Sequence, residues 1–294
     1  MADDLLIDIE DGVATVTLNR PAQRNALTFS MYEHLREFSE KAAAEGKLRA
    51  IIVTGAGDKA FAAGTDISEF HAVKTAADGL AYEAKIERVV STFEALPIPT
   101  IAAISGACTG GGAAIAICCD LRIATRSAKF GFPIARTLGN CLSAANYARL
   151  ASLIGAARVK DLIFTARLME AEEALNAGLV NELVADHAAL VARAKELAKL
   201  VAGHAPLNER LERRQLIFRE RPIVIDVQLH PRDLERVREQ NFGRQSRSVD
   251  LLLFEVPARP VQQALDRPHV VRCRSVAHNR PPLPVCVCCA RASA

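Results

Sequence analysis

The chain has 294 residues, of which 50% are hydrophobic and 24% are charged, a composition typical of a globular domain with an appendage. Its 37 Lys and Arg residues against 34 Asp and Glu residues give a formal charge of +3, which offers no support for a nucleic-acid or membrane partner. Because no signal-peptide pattern and no apolar run of about 18 residues occur, we expect a cytoplasmic protein.

The first predicted elements are a β-hairpin and a helix. Apolar side chains alternate over residues 5–9 and again over 14–18, and the pair Asp11-Gly12 between them is typical of a tight turn. In the helix that follows, Ser30 and Glu33 have the spacing of a capping box. Its apolar stripe consists of Met31, Leu35, Phe38 and Ala42.

Strands, glycine-rich loops and helices then alternate along the chain. The pattern predicts strands over 50–54, 100–105 and 121–124, a long helix ending before Pro97, a loop over 106–112 and a short helix over 113–118. Helices dominate residues 144–202, with stops at Gly155, Gly178 and Gly203. This alternation predicts an α/β core whose functional loops gather at one edge of the sheets.

The composition changes near Leu207. Residues 208–294 contain 16 Arg but no Lys, 8 of the 13 Pro and half of the Cys residues. We therefore divide the chain into a domain over 1–207 and an atypical tail over 208–294. One interpretation is a partly disordered, Arg- and Pro-rich extension. The other is a slip of the reading frame near Leu207, because a GC-rich gene read out of frame gives Arg, Pro and Cys.

Two segments carry the chemistry: Lys59-Ala-Phe-Ala-Ala-Gly-Thr-Asp-Ile67 and Ser105-Gly-Ala-Cys-Thr-Gly-Gly-Gly-Ala113. Each follows a predicted strand. Gly110 to Gly112 allow the backbone to approach a ligand, and the helix start that follows offers free N–H groups and the positive end of a dipole. Two such N–H groups aimed at one oxygen form an oxyanion hole, in which each donor contributes about 3–4 kcal/mol to stabilising an enolate.

These segments belong to a larger set of motifs along the chain. The set is Ile51-Ile-Val-Thr-Gly-Ala-Gly57, Phe61-Ala-Ala-Gly-Thr-Asp-Ile67, Pro99-Thr-Ile-Ala-Ala-Ile-Ser-Gly106, Gly110-Gly-Gly112, Cys119-Asp-Leu-Arg-Ile-Ala124 and Ala171-Glu-Glu-Ala-Leu-Asn-Ala-Gly-Leu-Val180. In this order and spacing, the motifs resemble the enoyl-CoA hydratase/isomerase (crotonase) family over about residues 5–207. The resemblance implies a ClpP/crotonase-like spiral of ββα units with C-terminal helices, acting on acyl-CoA thioesters.

The same resemblance implies the site. The two hole donors fall on the backbone N–H groups of Thr65 and Gly111, and coenzyme A is part of the substrate, so that no separate cofactor is expected. The residues expected to contact the substrate or its coenzyme A are Arg24, Asn25, Ala26, Ala63, Gly64, Thr65, Asp66, Ile67, Ser68, Gly110, Gly111 and Asn140. Arg24 is suited to a phosphate, although a solvated loop charge is an equal interpretation.

The chain departs from the family at the two glutamates that its hydratases use. Those positions hold Ala114 and, in the phrase Gly131-Phe-Pro-Ile134, Ile134. Neither side chain exchanges a proton, whereas adding water across a double bond requires an acid and a base. A standard hydratase mechanism is therefore in doubt, and a non-catalytic acyl-CoA-binding protein is an alternative.

A second departure follows Ile134, where the spacing to Leu150 is one residue longer than in those hydratases. It places Arg136, Asn140, Cys141, Ser143 and Asn146 where the family lines its acyl pocket. Arg136 is a candidate catalytic residue, since it would hold the carboxylate of a decarboxylase substrate. The other interpretation is an exposed or subunit-interface cation. Ser143 or Cys141 as the nucleophile of a thioester hydrolase is a third possibility.

The remaining candidates have structural interpretations. Asp66 is expected to order its loop, Asp120 to fix the turn after Cys119, and His71 to lie on a solvated face. The eight Cys residues are expected to be free thiols, and we predict no metal site. The family assembles as trimers or hexamers through a C-terminal helical segment, the region that departs from the family here, so the sequence puts that assembly in question.

Overall fold

The computed structural model describes residues 4–72, 75–134 and 142–204, all within a compact unit that spans Met1–Leu253. The predicted tail, 208–294, and a second unit, Phe254–Ala294, lie outside the described residues. Within the described part, the chain forms two β-sheets with helices packed on them, the α/β crotonase architecture that the resemblance implies.

The larger sheet has six strands in the order β1-β2-β3-β5-β7-β10. Only the β1–β2 pair is antiparallel; the other four pairs are parallel. Side chains of β3 and β5 are buried on both faces, as expected for parallel strands covered by helices on either side. The strands are β1 (Leu5–Glu10), β2 (Val13–Leu18), β3 (Ala50–Gly55), β5 (Thr100–Ile104), β7 (Leu121–Thr125) and β10 (Glu182–Val184).

The smaller sheet corrects the sequence prediction. It has the order β4-β6-β8-β9, and β6 lies inside the segment 106–112 that we predicted as a loop. Strands of two or three residues are too short to show an alternating pattern, so only their pairing reveals them. They are β4 (Ala60–Ala62), β6 (Ala107–Thr109), β8 (Lys129–Gly131) and β9 (Met169–Glu170).

The predicted β-hairpin is confirmed, with positive φ at both Asp11 and Gly12 in its turn. The apolar face of β1 is not buried along its length, because Leu5 is covered whereas Ile7 and Ile9 are 41% and 58% exposed. The reason is position: β1 is the edge strand of the sheet. Alternation in the sequence therefore identified the strand but not its burial.

Seven helices cover the sheets in the described part of the chain. They are α1 (Phe29–Glu45), α2 (Ala76–Glu94), α3 (Gly111–Cys118), α4 (Ala144–Ile154), α5 (Ala156–Thr165), α6 (Ala171–Asn176) and α7 (His187–Ala202). The predicted stops are observed: Gly155 separates α4 from α5, Gly178 follows α6 and Gly203 caps α7. None of the described helices is both long and apolar enough to cross a membrane.

Helix α1 buries its predicted stripe, but its N-cap differs from the prediction. A Ser30 N-cap would start the helix at Met31, whereas the observed helix starts two residues earlier, at Phe29. Thr28 is the N-cap, and its Oγ1 accepts the Met31 N–H at 3.2 Å. Glu33 pairs with Arg36 instead of closing a capping box. The capping-box prediction was therefore wrong, because a Thr two positions upstream competes for the same role.

This correction gives a matched test. Replacing Thr28 with Ala removes the cap acceptor and is expected to lower the free energy of unfolding by about 1 kcal/mol. Replacing the exposed Ser30 with Ala is expected to change it by less than about 0.5 kcal/mol. Urea unfolding of both variants measures the difference, and a larger loss for Ser30→Ala would contradict the assignment.

Candidate active site

The two glycine-rich segments meet because the short strands that carry them are paired. Strand β4 lies parallel to β6, so the loops that follow them leave the same edge of the smaller sheet. A Cβ built on Gly110 would lie 3.4 Å from the Cα of Gly64. Gly64 and Gly110 have φ values of +114° and +53°, which side-chain-bearing residues rarely adopt. The backbones of the two loops are therefore in contact.

The predicted donors Thr65 and Gly111 lie beside each other at this contact. A Cβ built on Gly111 would be 3.1 Å from Thr65 Oγ1. Gly111 is the first residue of α3, ahead of the first bond within the helix, from Ala114 N–H to Gly110 O at 2.9 Å. The bridge between Leu27 and Thr65 uses the Leu27 and Asp66 N–H groups, so the Thr65 N–H is not part of it.

Residues 24–26 and 63–68 are expected to contact the substrate or its coenzyme A. Backbone hydrogen bonds from 24–27 to 63–66 join these two segments. Ala63 N–H donates to Arg24 O at 3.0 Å, and Leu27 N–H donates to Gly64 O at 2.8 Å. Ala63, Ile67 and Ser68 are exposed nearby, with Ile67 at 67%. The two segments thus form one continuous surface beside the donors.

The Asn25 side chain hydrogen-bonds to the protein on all its polar atoms. It is fully buried, and its Nδ2 donates to the carbonyls of Ala56 and Ala60 at 3.1 and 2.7 Å. Its Oδ1 accepts the Arg20 N–H at 3.0 Å. The Asn25 N–H also donates to Arg20 O at 2.8 Å, so this fully buried residue supports the loop from inside, whereas Arg24 next to it is exposed.

Arg24 lies at a solvent-open cavity of about 320 Å³. Lys59 and Asp58 line the same cavity, with backbone around Gly57 between them. Arg24 and Lys59, with the single carboxylate of Asp58 between them in the lining, give a surface suited to an anionic group such as a phosphate.

Asp66 is held in place by its neighbours. Arg20 Nη1 donates to its Oδ2 at 2.7 Å, and the Ser68 hydroxyl and N–H donate to its Oδ1 at 2.7 and 3.0 Å. Hydrogen bonds from Ser68 and then from Arg20 lower the pKa of Asp66 to about 2. A carboxylate so engaged orders the loop, as we predicted, rather than carrying protons.

A cluster of hydroxyls beside the donors was missed by the sequence analysis. Tyr32, on the buried stripe of α1, places its hydroxyl 2.9 Å from Thr65 Oγ1, and the Tyr82 hydroxyl of α2 lies 3.4 Å from the same atom. Tyr82 also contacts the rings of Phe29 and Phe70. The available signal was a Tyr inside the apolar stripe of α1, since a buried phenol usually has a hydrogen-bond partner.

The positions of the family's two glutamates lie in apolar surroundings. Ala114 is 4% exposed in the middle of α3, and Ile134 packs against the main core cluster. Neither position brings a proton donor or acceptor to the donors at Thr65 and Gly111.

The region after Ile134 is only partly described. Arg136, Asn140 and Cys141 lie outside the described residues, and so does the side chain of His71. Ser143 is the N-cap of α4, where its Oγ accepts the Asn146 N–H at 3.3 Å. A serine that caps a helix in this way has a structural role without further assumptions.

Arg149 fastens α4 to α2. Its guanidinium donates to both carboxylate oxygens of Glu87 and of Glu94 at 2.7–3.1 Å, and to Asn146 Oδ1 at 3.0 Å. Bidentate pairs of this kind fix both distance and orientation. The clamp therefore holds α2, which carries Tyr82, against α4.

Two structural interpretations of the sequence are confirmed. Asp120 Oδ2 accepts the N–H and hydroxyl of Thr100 at 2.7 and 2.8 Å and so fixes the turn before β7. The three Cys residues of the described part, Cys108, Cys118 and Cys119, are buried free thiols. Burial raises the pKa of Cys108, which keeps its thiol protonated and unreactive.

The comparisons with known proteins agree with this architecture. The family model described as Enoyl-CoA hydratase/isomerase matches residues 8–215. The Short-chain-enoyl-CoA hydratase of Clostridium acetobutylicum is 37% identical over 227 residues, which is 77% of this chain and 85% of that protein. The putative enoyl-CoA hydratase/isomerase YngF of Bacillus subtilis is 37% identical over 71% of this chain and 80% of its own length.

A solved structure of this family has the same fold. The crystal structure of an enoyl-CoA hydratase/carnithine racemase from Magnetospirillum magneticum superimposes with a TM-score of 0.71 at 34% identity, covering 80% of this chain and 86% of that chain. The sequence match of the family model extends eight residues past Leu207, where the composition changes.

The Asp66 ion pair predicts a pH dependence. A carboxylate whose pKa falls from 3.8 to about 2 on folding stabilises the fold above about pH 4, and this contribution is lost as the pH falls towards 2. Asp66→Asn is therefore expected to lower the unfolding free energy by about 1–2 kcal/mol at neutral pH, with the difference from wild type narrowing below about pH 4.

Urea unfolding at a series of pH values measures this difference. Asp8→Asn, which neutralises an exposed carboxylate on β1, is the control and is expected to have little effect. A gap between wild type and Asp66→Asn that stayed constant down to the lowest pH would contradict the assignment.

Proposed function

Because the chain belongs to the enoyl-CoA hydratase/isomerase family, we propose that it acts on acyl-CoA thioesters by stabilising a thioester enolate between the N–H groups of Thr65 and Gly111. The observation that carries the proposal is the backbone contact between the Gly64 and Gly110 loops, which sets the two donor residues side by side. Such donors favour the charged enolate over the neutral thioester, by about 3–4 kcal/mol each.

The rest of the substrate fits the surface beside the donors. The acyl-bearing thioester lies at Thr65 and Gly110, and the coenzyme A portion follows the joined segments 24–27 and 63–66. Its phosphates meet Arg24 and Lys59 at the cavity of about 320 Å³. Asp66 and Asn25 contribute by holding this surface in shape, since their side chains are occupied by protein groups.

The proton-transfer group of the proposed reaction cannot be the family's glutamates, whose positions are Ala114 and Ile134. We infer that Glu83 of α2 takes this role. Glu83 follows Tyr82 on α2, and the Tyr82 hydroxyl lies 3.4 Å from Thr65 Oγ1. The charge of Glu83 also makes a small contribution to the raised pKa of Tyr32 and of Tyr82. Burial, and then the charge of Glu87, raises the pKa of Glu83 itself, the direction that suits a carboxyl acting as an acid.

Two alternatives are retained. A protein that binds acyl-CoA without turning it over is favoured by the apolar residues at positions 114 and 134. A decarboxylase in which Arg136 holds a substrate carboxylate is favoured by the position of that Arg in the sequence, after Ile134. The substrate panel below distinguishes these outcomes.

We further propose that the reaction uses no cofactor beyond the coenzyme A of the substrate, and that it takes place in the cytoplasm. Three buried free thiols among the described residues fit a reducing compartment. The homotrimer or hexamer of the family is retained as the proposed assembly, to be checked by light scattering of the full chain.

The proposed function is tested by incubating the purified protein with enoyl-, 3-hydroxyacyl- and malonyl-type CoA thioesters and identifying products by mass spectrometry. A shifted double bond or added water supports the proposal, and loss of CO₂ from a malonyl-type thioester supports the decarboxylase. Binding without any product supports the non-catalytic alternative, and a folded protein that binds no thioester contradicts the proposal.

A matched pair of variants tests the oxyanion hole. Gly111→Pro and Gly111→Ala both add a Cβ, but only Pro removes the N–H. Because that Cβ would lie 2.0 Å from the Tyr32 hydroxyl, both are compared in a Tyr32→Phe background. The Pro variant is expected to be slower than the Ala variant by about 10²–10³-fold. Equal rates would exclude the Gly111 N–H as a donor.

A second variant pair tests the acid. Glu83→Gln is expected to reduce turnover by about 10²–10⁴-fold while acyl-CoA binding, measured by calorimetry, is unchanged. Glu37→Gln, on the exposed side of α1, serves as the control and is expected to behave as wild type. If Glu83→Gln retained full activity across the pH range, Glu83 would not be the proton-transfer group.

A further inference from the structure

The hydroxyl of Tyr32 contacts both residues that carry the proposed oxyanion donors. It is 2.9 Å from Thr65 Oγ1, within hydrogen-bond distance. On its other side, a Cβ built on Gly111 would lie 2.0 Å from the same hydroxyl oxygen, so this oxygen packs directly against the Cα of Gly111. One atom therefore contacts both donor-bearing residues at the place where they meet, since the same Cβ on Gly111 would lie 3.1 Å from Thr65 Oγ1.

This contact is held rigidly. Tyr32 is 1% exposed on α1, among the largest fully buried side chains of the core, so its ring does not change rotamer freely. Thr65 is β-branched and stiff about χ1, so fixing its Oγ1 also fixes the backbone that carries its N–H. A backbone bridge to Leu27 holds the same residue from the other side.

The hydroxyl also stays a neutral hydrogen-bonding group. Burial, and then the neighbouring Tyr82, raises the pKa of Tyr32, with a smaller contribution from Glu83 and an opposing one from the bond to Thr65. A buried phenol that lost its partner would be unsatisfied, so the bond between Tyr32 and Thr65 persists while the site works.

We propose that Tyr32 is a positioning residue of the oxyanion hole, whose hydroxyl sets the spacing between the Thr65 and Gly111 donors. This inference rests on the proposed function and deepens it. A hole must present its donors at the position of the developing charge, and small displacements weaken its stabilisation of an enolate more than its hold on a neutral thioester. Tyr32 therefore affects the charged state of the ligand more than binding itself.

The test uses acetoacetyl-CoA, a β-keto thioester whose enolate absorbs in the near ultraviolet. The pH at which the bound ligand ionises reports how strongly the hole stabilises the enolate, and the Kd of free coenzyme A reports binding without the thioester. Tyr32→Phe is expected to lower the ionisation constant of bound acetoacetyl-CoA about tenfold, because the hole stabilises the enolate less, and to leave the Kd of coenzyme A unchanged. Thr65→Val should have the same effect, the double variant should be no worse, and Thr65→Ser should restore wild-type behaviour.

Tyr82→Phe is the matched control. Its hydroxyl lies 3.4 Å from Thr65 Oγ1, and it is not among the nearest atoms to a Cβ built on Gly111, so a smaller effect is expected. Ionisation of the bound ligand at the same pH in wild type and in Tyr32→Phe would overturn the positioning role alone. A wild-type protein that binds no acetoacetyl-CoA, or does not favour its enolate, would overturn the proposed function and this inference with it.

A measurement without ligand tests the contact itself. Gly111→Ala is expected to destabilise the wild-type protein, because the new Cβ collides with the Tyr32 hydroxyl. In the Tyr32→Phe background the nearest remaining ring atom, Cζ, is 3.3 Å away, so the same substitution should lower the melting temperature much less. Additive losses in the double variant would contradict the contact and, with it, the proposed spacing role.

Discussion

The whole site depends on the close approach of two backbones. Strands β4 and β6 pair over only three residues each, yet their pairing brings the Gly64 and Gly110 loops into contact. The approach extends into α3, where a Cβ on Gly112 would lie 2.6 Å from Ala62 Cβ and O. A side chain at Gly112 would collide with Ala62, and the positive φ values of Gly64 and Gly110 would strain any residue with a side chain. Thr65 and Gly111 therefore lie together mainly because the neighbouring glycines have no side chains to keep the two loops apart.

The length of each element decides whether the sequence predicts it. Long elements such as α1 and the strands of the larger sheet are recognisable, because their apolar residues repeat at the helical period or form continuous runs. Strands of three residues have no period to detect, so β4 and β6 were assigned to loops. The α1 cap was misplaced because Thr28 and Ser30 are both good N-caps, and only the backbone conformation chooses between them.

The sequence predicted the backbone groups of the candidate site, but it did not predict the tyrosine hydroxyls beside them. The glycine-rich phrases identify Thr65 and Gly111, since glycine at such positions has a stereochemical reason. Tyr32 has no such signal, because its hydroxyl reaches Thr65 across 33 residues of sequence through the packing of α1. Asn25 was predicted to contact a ligand, whereas its side-chain amide is hydrogen-bonded to the backbone of Ala56, Ala60 and Arg20. Tertiary contacts of this kind become visible only when the elements are placed.

In the proposed reaction, different parts of this fold bind the enolate and transfer its proton. The proposed donors belong to loops fixed by backbone pairing, and the Thr65 side chain adds a hydrogen bond to the Tyr32 hydroxyl. Proton transfer in that reaction is proposed for α2, because Ala114 and Ile134, which the family resemblance aligns with the hydratase glutamates, carry no carboxylate. Arg149 already neutralises Glu87 and Glu94 on α2, so Glu83 owes its raised pKa mainly to burial. The proposed role of Glu83 therefore depends on the packing of α2, since that packing leaves its carboxyl only partly exposed.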